Sequence, residues 1–327
     1  MIETSVVRDK EVRFDLISRE QEEQYASLLS EGFGIPEGSS FFDDFPVWKS
    51  GSGVPVLRVG AYTEGGATRE LMSAASARTA YLQLGKDLLK IGLIGGVVTS
   101  PLFQGQGLAG ECLRKCEDWL KKQGAALAVL WTGDDGWYSK RGYHSIGYQY
   151  RIPLQTWSTP GAERMSAFHQ GWNTEIGRFF LNRKTGLRIQ KWDLGWLTAH
   201  QNTDWYWLGS RDRISAYAAV GRGVDLVNTV HEWGGEPSSL RDLLGILNDR
   251  QEGLQILGSA ESFRGAQILF DPQQSESLAH LKILDLASLN AQMLQVRLEQ
   301  GLLTETQWLR LFDQPQFPLW FWGLDAA

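Results

Sequence analysis

The sequence predicts an α/β protein: a mixed, mostly antiparallel sheet flanked by helices in residues 1–155, followed by a second α+β domain over residues 156–327. Three observations predict it. Strand-patterned segments succeed one another from residue 12 to residue 99, with one amphipathic helix among them. A glycine-rich loop at 104–110 then joins the last of these strands to a second amphipathic helix. After residue 155 the texture changes, and ten of the 14 Trp lie there.

Val12 to Ser18 alternates like a strand. The run from Arg19 to Gly34 sets Tyr25, Leu28 and Leu29 on one side and charges elsewhere, and its terminal glycines stop the helix. Val56 to Glu64, Glu70 to Leu84 and residues near 91–99 read as strands. From Gly107 to Gln123, Leu108, Cys112, Leu113, Cys116, Trp119 and Leu120 repeat at helical spacing, and Gly124 follows as the stop. Ala126 to Thr132 is short and wholly apolar, as in a strand buried on both faces. A short helix starting at Asp134 and Asp135 precedes another strand from Tyr143. The run from Gln155 to Glu163, rich in Ser, Thr, Pro and Gly, marks the boundary. Beyond it come three strands, a Gly-Gly turn, a helix from Ser238 to Asn248 and a further strand. This order echoes residues 56–132 and suggests a duplication.

Composition narrows the function classes. The 327 residues carry 43% hydrophobic and 21% charged residues, enough for a sizeable core. The net charge is −6, and no basic stripe marks a nucleic-acid partner. The most apolar stretch, Leu88 to Val98, is interrupted by Lys90 and too short to span a bilayer, so no membrane partner is expected. The N-terminus has no apolar signal region, which makes cytoplasm the expectation. Cys112 and Cys116 cannot close a metal site alone, and no His stands at ligand spacing, so no metal is expected and the thiols read as reduced helix residues.

Gly105-Gln106-Gly107-Leu108-Ala109-Gly110 spells G-x-G-x-x-G, a dinucleotide pattern. That motif opens a βαβ unit directly after its first strand. Here several strands precede it, four residues separate the strand end from Gln104, and no second βαβ half follows. From Gln104 the same residues read Q-x-x-G-x-A. A pyrophosphate needs backbone N–H donors and the positive end of a helix. Gly105 and Gly107 let the backbone approach closely, Ala109 is small, Gln104 offers an amide, and a helix begins at Gly107.

Residues 91–148 carry, in order, a strand ending Val97-Val98-Thr99, the Q-x-x-G-x-A loop, the apolar strand Ala128 to Trp131, and Tyr138-x-x-x-Gly142-Tyr143. Together they resemble the GCN5-related N-acetyltransferase (GNAT) superfamily, most closely the multi-domain enhanced intracellular survival type. That type has a further sterol-carrier-like domain. The 172 residues after 155 are too few for a second GNAT domain and a full third one, so the three-domain layout is not expected intact.

The resemblance implies acetyl-CoA as cosubstrate and an N-acetyltransferase acting on the primary amine of a small cationic or peptide acceptor. Backbone groups of Val97, Val98 and Thr99 would pair with the pantetheine arm and polarise the acetyl carbonyl. Gln104, Gly105, Gln106, Gly107, Leu108 and Ala109 would hold the pyrophosphate. Many relatives have arginine where this chain has Gly105 and Gln106, so less charge would grip the phosphates. Tyr138 would be the general acid to the leaving thiolate. The base is not fixed: Asp134 and Asp135 read first as helix-cap acids, and the terminal carboxylate of Ala327 is a further candidate, because the chain end reaches the active site in the survival-type relatives. Phe41, Phe42, Asp43 and Asp44 stand where the acceptor loop would lie. Residues 1–50 carry 11 acids against 5 bases, which suits a cationic acceptor. In the second half Gly234-Gly235-Glu236-Pro237 takes the place of a pyrophosphate loop, and Glu236 would repel phosphate, so that half is expected to be a degenerate GNAT-like repeat without acetyl-CoA. It would then shape the acceptor site or a homo-oligomer contact. The rival expectation is a catalytically silent CoA sensor with a Trp-rich ligand-recognition domain.

Overall fold

Side-chain pattern and glycine placement set where elements begin and end along the chain. The computed structural model describes residues 4–7, 10–63, 69–154, 167–223 and 225–326. Its first half contains β1 (Thr4–Val7), β2 (Lys10–Leu16), α1 (Glu22–Phe33), α2 (Phe41–Asp44), β3 (Val56–Thr63), β4 (Leu71–Leu84) and β5 (Asp87–Thr99). α3 (Leu108–Lys122), β6 (Leu127–Leu130), α4 (Asp135–Ser139) and β7 (His144–Pro153) follow. The second half contains β8 (Phe168–Gln170), α5 (Ile176–Leu181), β9 (Gly186–Leu187), α6 (Leu194–Leu197), β10 (Asp204–Ser210), β11 (Arg213–Val220) and β12 (Thr229–Gly235). Then come α7 (Pro237–Arg250), β13 (Gln255–Gly258), α8 (Ala260–Ala266), β14 (Ser275–Ile283), α9 (Leu286–Gln292), α10 (Leu294–Gln300) and α11 (Glu305–Phe312). α1 buries Tyr25, Leu28 and Leu29 and ends where Gly34 turns to φ +64°, as its spacing predicts.

The strands form one sheet in the order β1-β2-β3-β4-β5-β6-β14-β7-β13-β12-β11-β10-β8, with β9 beside β4. Among the described residues only β5–β6 and β12–β13 pair in parallel, each pair joined by a long helix, α3 or α7. The runs β3 to β6 and β10 to β13 therefore repeat one topology on either side of the centre. At the centre the halves interleave. β14 of the second half pairs with β6 and β7 of the first, and β7 pairs in turn with β13. The expected boundary at 155/156 lies outside the described residues.

α1 and α2 cover one face of the first-half sheet, and α3 covers the other. Leu108, Cys112, Leu113, Cys116 and Leu120 of α3 are buried against Ala75, Ala77, Ile94 and Ala128. Small residues on the strands let the helix close in: a Cβ on Gly92 would sit 2.4 Å from Leu120. Each leucine so buried contributes roughly 1.5–3 kcal/mol. Both cysteines are free, and burial pushes their thiols up, that of Cys112 to about 12. No helix among the described residues is long and apolar enough to cross a membrane.

Candidate active site

The site starts at a defect in strand pairing. β5 and β6 stay in parallel register from Ile91↔Leu127 to Leu93↔Val129 and then diverge. On the other edge of β5, the pairing with β4 shifts between Ala74 and Ser76, and Gly96 takes φ +60° inside this bulge. A side chain at Gly96 would also meet the Tyr25 hydroxyl at 2.9 Å. A bulge kinks its strand and re-aims the backbone, so residues 94–99 lean away from β6 and a wedge opens between them. Val97 lines that wedge. Val98 packs instead against Gly32, and its carbonyl accepts from the Ser73 hydroxyl at 2.7 Å. The Thr99 hydroxyl lies 2.8 Å from Ser73 Oγ.

Beyond β5 the loop turns at Gly105, φ +75°, and Gly107, φ +80°. Both have open space where a Cβ would be, so the left-handed backbone alone demands glycine there. Gly107 is the N-cap of α3, and no side chain caps it, which leaves the first N–H groups of Leu108, Ala109 and Gly110 directed outward at the positive end of the dipole. Gln104 donates its amide to the Thr99 carbonyl at 3.3 Å, bracing the loop across its base. Gln106 Oε1 is buried without a partner.

α4 presents Tyr138 on the β6 side of the wedge. The Asp134 carboxylate caps this helix through the Trp137 N–H at 3.0 Å, the cap role its position predicts. Burial, with Asp134 nearby, pushes the Tyr138 phenol up to about 12. Arg141, at the end of α4, donates to the Trp137 carbonyl at 2.7 Å and lies 3.6 Å over the Trp137 ring. Its guanidinium stands 3.2 Å from where a Cβ on Gly110 would be, so it reaches the first turn of α3. Asp135 lies 2.8 Å from His280 Nε2 of β14, off the line that a hydrogen bond needs, so the second half touches the helix that carries Tyr138.

The wedge opens into a cavity of about 450 Å³. Phe33, Phe41, Phe45 and Trp48 line it together with Trp131, Phe321, Trp322, Tyr138 and residues 94–97. Arg151 of β7 and Arg222 and Asp225 of the second half also line it. A second cavity of about 340 Å³, between α8 and the segment from Phe312 to Trp320, holds none of these elements.

The expected acceptor loop splits in two. Phe41 lines the cavity, whereas Phe42 is buried against Tyr25, with ring centroids 5.8 Å apart. Asp43 accepts from the Ser40 N–H at 2.8 Å and caps α2. Asp44 is buried and accepts from Asn202 at 2.7 Å, and burial raises its pKa. Neither carboxylate lines the cavity. Ala327 lies outside the described residues. The segment before it is held firmly. Arg222 donates to the Gly323 carbonyl and pairs with Asp225, and buried Asp325 accepts from Arg183 at 3.1 Å and from the N–H groups of Leu187 and Trp322. Glu232 pairs with the same Arg183 and accepts from the Leu324 N–H.

Sequence reasoning passed over Arg141, Arg151, Arg222 and Asp225. Arg151, Arg222 and Asp225 stand far along the chain from the loop with no motif around them, and Arg141 falls on an unspecified position of Tyr138-x-x-x-Gly142. The aromatic run from Phe317 to Trp322 did carry a signal, because so apolar a tail must be packed somewhere.

In the second half β12 and β13 pair only through Thr229↔Gln255 and Val230↔Ile256 before they too diverge. There the wedge is filled. Trp233 donates its indole N–H to the Leu257 carbonyl at 2.8 Å, stacks on Phe263 and meets Trp322 edge-on. Gly235 leads directly through Glu236 into Pro237 at the start of α7, so no loop intervenes to hold a phosphate.

Comparison with known proteins follows the same geography. Residues 13–150 match the family described as acetyltransferase (GNAT) domain. The chain is similar in fold to a GCN5-related N-acetyltransferase from Kribbella flavida, at 17% identity and TM-score 0.64, over 88% of this chain and 75% of that one. It is similar to another from Anabaena variabilis, at 14% identity and TM-score 0.62, over 86% and 75%. Eis1 from Mycobacterium abscessus is similar at 16% identity and TM-score 0.55, again over 86% and 75%. No curated protein sequence matches the chain.

Proposed function

With residues 13–150 a GNAT acetyltransferase domain, the domain of an N-acyltransferase enzyme, we propose that this protein transfers an acetyl group from acetyl-CoA to the primary amine of a small acceptor. The observation that carries this reading is one convergence. The β5–β6 wedge and Tyr138 line one aromatic cavity, and Arg141, three residues past Tyr138, reaches the uncapped first turn of α3 behind Gly105 and Gly107.

The diphosphate would lie against the N–H groups at the start of α3, with Arg141 supplying the positive charge that Gly105 and Gln106 lack. The pantetheine arm would enter the wedge along Val97 to Thr99. The neutral amine then attacks the thioester carbonyl, forming the C–N bond, while N–H groups of the bulged strand steady the oxyanion. The C–S bond breaks as the intermediate collapses. Tyr138, protonated at neutral pH, donates to the departing sulfur, and the amine's proton passes to solvent or to Asp225, the one carboxylate lining the cavity. On this reading the second half has no cosubstrate of its own. Trp233 fills its wedge, and it serves by walling the acceptor cavity.

A thiol-release assay with acetyl-CoA and an amine panel tests this, beside CoA titration of the Tyr138→Phe variant. Turnover that collapses in the variant while CoA still binds supports acetyl transfer. CoA binding with no turnover of any amine points to a silent sensor, and NADH binding without CoA binding overturns the reading at its root.

A further inference from the structure

The acceptor cavity has a chemical character of its own, separate from the acidity of the first fifty residues. Its lining holds two guanidinium groups, Arg151 and Arg222, against a single carboxylate, Asp225. That carboxylate is already paired with Arg222, whose side chain is almost wholly buried and whose other arm holds the Gly323 carbonyl. Arg151 is placed differently. Its side chain is a quarter exposed, one arm donates to Thr229 Oγ1 at 3.0 Å, and Glu276, half exposed, lies 3.7 Å away. These contacts engage Nη1 and approach Nε, so Nη2 has no hydrogen-bond partner among the described residues, and Arg151 lines the cavity.

The remainder of the wall is aromatic. Phe41 and Phe45 are stacked at 4.6 Å, Phe33 packs on Phe41 at 5.0 Å, and Trp131 meets Phe321 edge-on at 5.2 Å. Such surfaces favour a flat apolar body. Aromatic faces also attract cations, but the lining's carboxylate is already taken by Arg222, Arg151 opposes a cation, and the reacting nitrogen must be neutral to attack.

We infer that the acceptor is a monoamine that also carries a carboxylate and an aromatic body, the chemistry of an aromatic amino acid, with its carboxylate met by Arg151 and its ring on the phenylalanine and tryptophan walls. The inference rests on the acetyl-transfer reading. It sets this site apart from one built for polyamines or aminosugars, which would need several lining carboxylates.

The test compares kcat/KM of the full chain, with saturating acetyl-CoA, for phenylalanine, phenethylamine, spermidine and kanamycin. The expected order places phenylalanine about 10-fold above phenethylamine, the usual worth of one charge-assisted contact, and both above the polycations. Arg151→Gln removes the gap between phenylalanine and phenethylamine, and Arg151→Lys restores part of it. A preference for spermidine or kanamycin overturns this inference and leaves acetyl transfer standing. Equal loss on phenylalanine and phenethylamine in Arg151→Gln also overturns it, since the arginine then acts on folding. Should Arg151→Gln fail to fold, the order measured on the unaltered protein decides alone. No turnover of any of the four, with CoA bound, overturns the inference together with the reading beneath it.

Discussion

Trp131 at the end of β6 and Phe321 near the end of the chain meet edge to face, with ring centroids 5.2 Å apart. Trp131 is in turn fixed by its indole N–H, which donates to the Leu278 carbonyl of β14 at 3.0 Å. Strand and tail thus wall one cavity, the inserted strand braces Trp131 from behind, and the second half takes part in that cavity.

Removing that contact should separate acceptor binding from cosubstrate binding. Phe321→Ala deletes a ring that is 2% exposed, which costs about 3 kcal/mol of stability. Below its lowered melting temperature the variant is expected to raise the acceptor KM several-fold while its affinity for CoA, measured by calorimetry, stays unchanged.

Tyr138 is held protonated by burial at about 12. Tyr138→Phe keeps the ring and its packing on Trp137 but removes the donor. We expect a loss of roughly 10²–10⁴ in kcat, with the CoA dissociation constant within a factor of two. Pre-steady-state thiol release measures it, and a variant as fast as the parent would show that another group protonates the sulfur.

Arg141 and Gly107 address the phosphates from two sides. Arg141→Ala should weaken CoA about 5- to 10-fold and flatten the dependence of binding on salt. Gly107→Ala meets no neighbour but must hold φ +80°, a strain of about 1–2 kcal/mol. It should weaken CoA by a similar factor with no change in salt dependence. The two slopes distinguish charge from backbone shape.

The buried cluster that anchors the tail predicts an unusual pH profile. Arg183 faces both Glu232 and Asp325, and desolvation pushes Glu232 up to about 8 and raises Asp325 as well. A carboxyl whose folded value lies above its ordinary 4.5 binds more protons folded than unfolded between those two values. Its contribution is complete below 4.5 and is lost as pH rises towards 8, at about 1 kcal/mol per unit. Burial holds His200 and His231 neutral, well below their ordinary 6.5, which adds a rise in stability up to about pH 6.5, so the fall is expected from pH 7 to 8, with Glu232→Gln flattening it. A Glu232→Gln profile parallel to that of the parent over this range would show Glu232 already ionised in the folded protein.

Local pattern made much of the first half legible. The helical spacing of Leu108, Cys112, Cys116 and Leu120 foretold α3, and Gly105 and Gly107 foretold a left-handed loop, because periodicity and positive φ leave marks on neighbouring residues. Asp134 at the start of α4 likewise read as a cap. What escaped were relations between distant residues. α8 and α11 went unread, Phe42 and Asp44 turned inward although they stand beside Phe41, and nothing in the pattern of residues 275–283 shows which strands β14 pairs with.

The sequence by itself determined most elements of the first half, β1 and α2 excepted, and the left-handed backbone of the loop at Gly105 and Gly107, since these depend on residues a few positions apart. Only the tertiary structure decided that β14 enters between β6 and β7, that Trp233 closes the second wedge, and that Arg151, Arg222 and Phe321 face the cavity before Tyr138. Strand insertion and cavity walls arise from long-range burial and pairing, and many partners satisfy those equally well until the whole chain is packed.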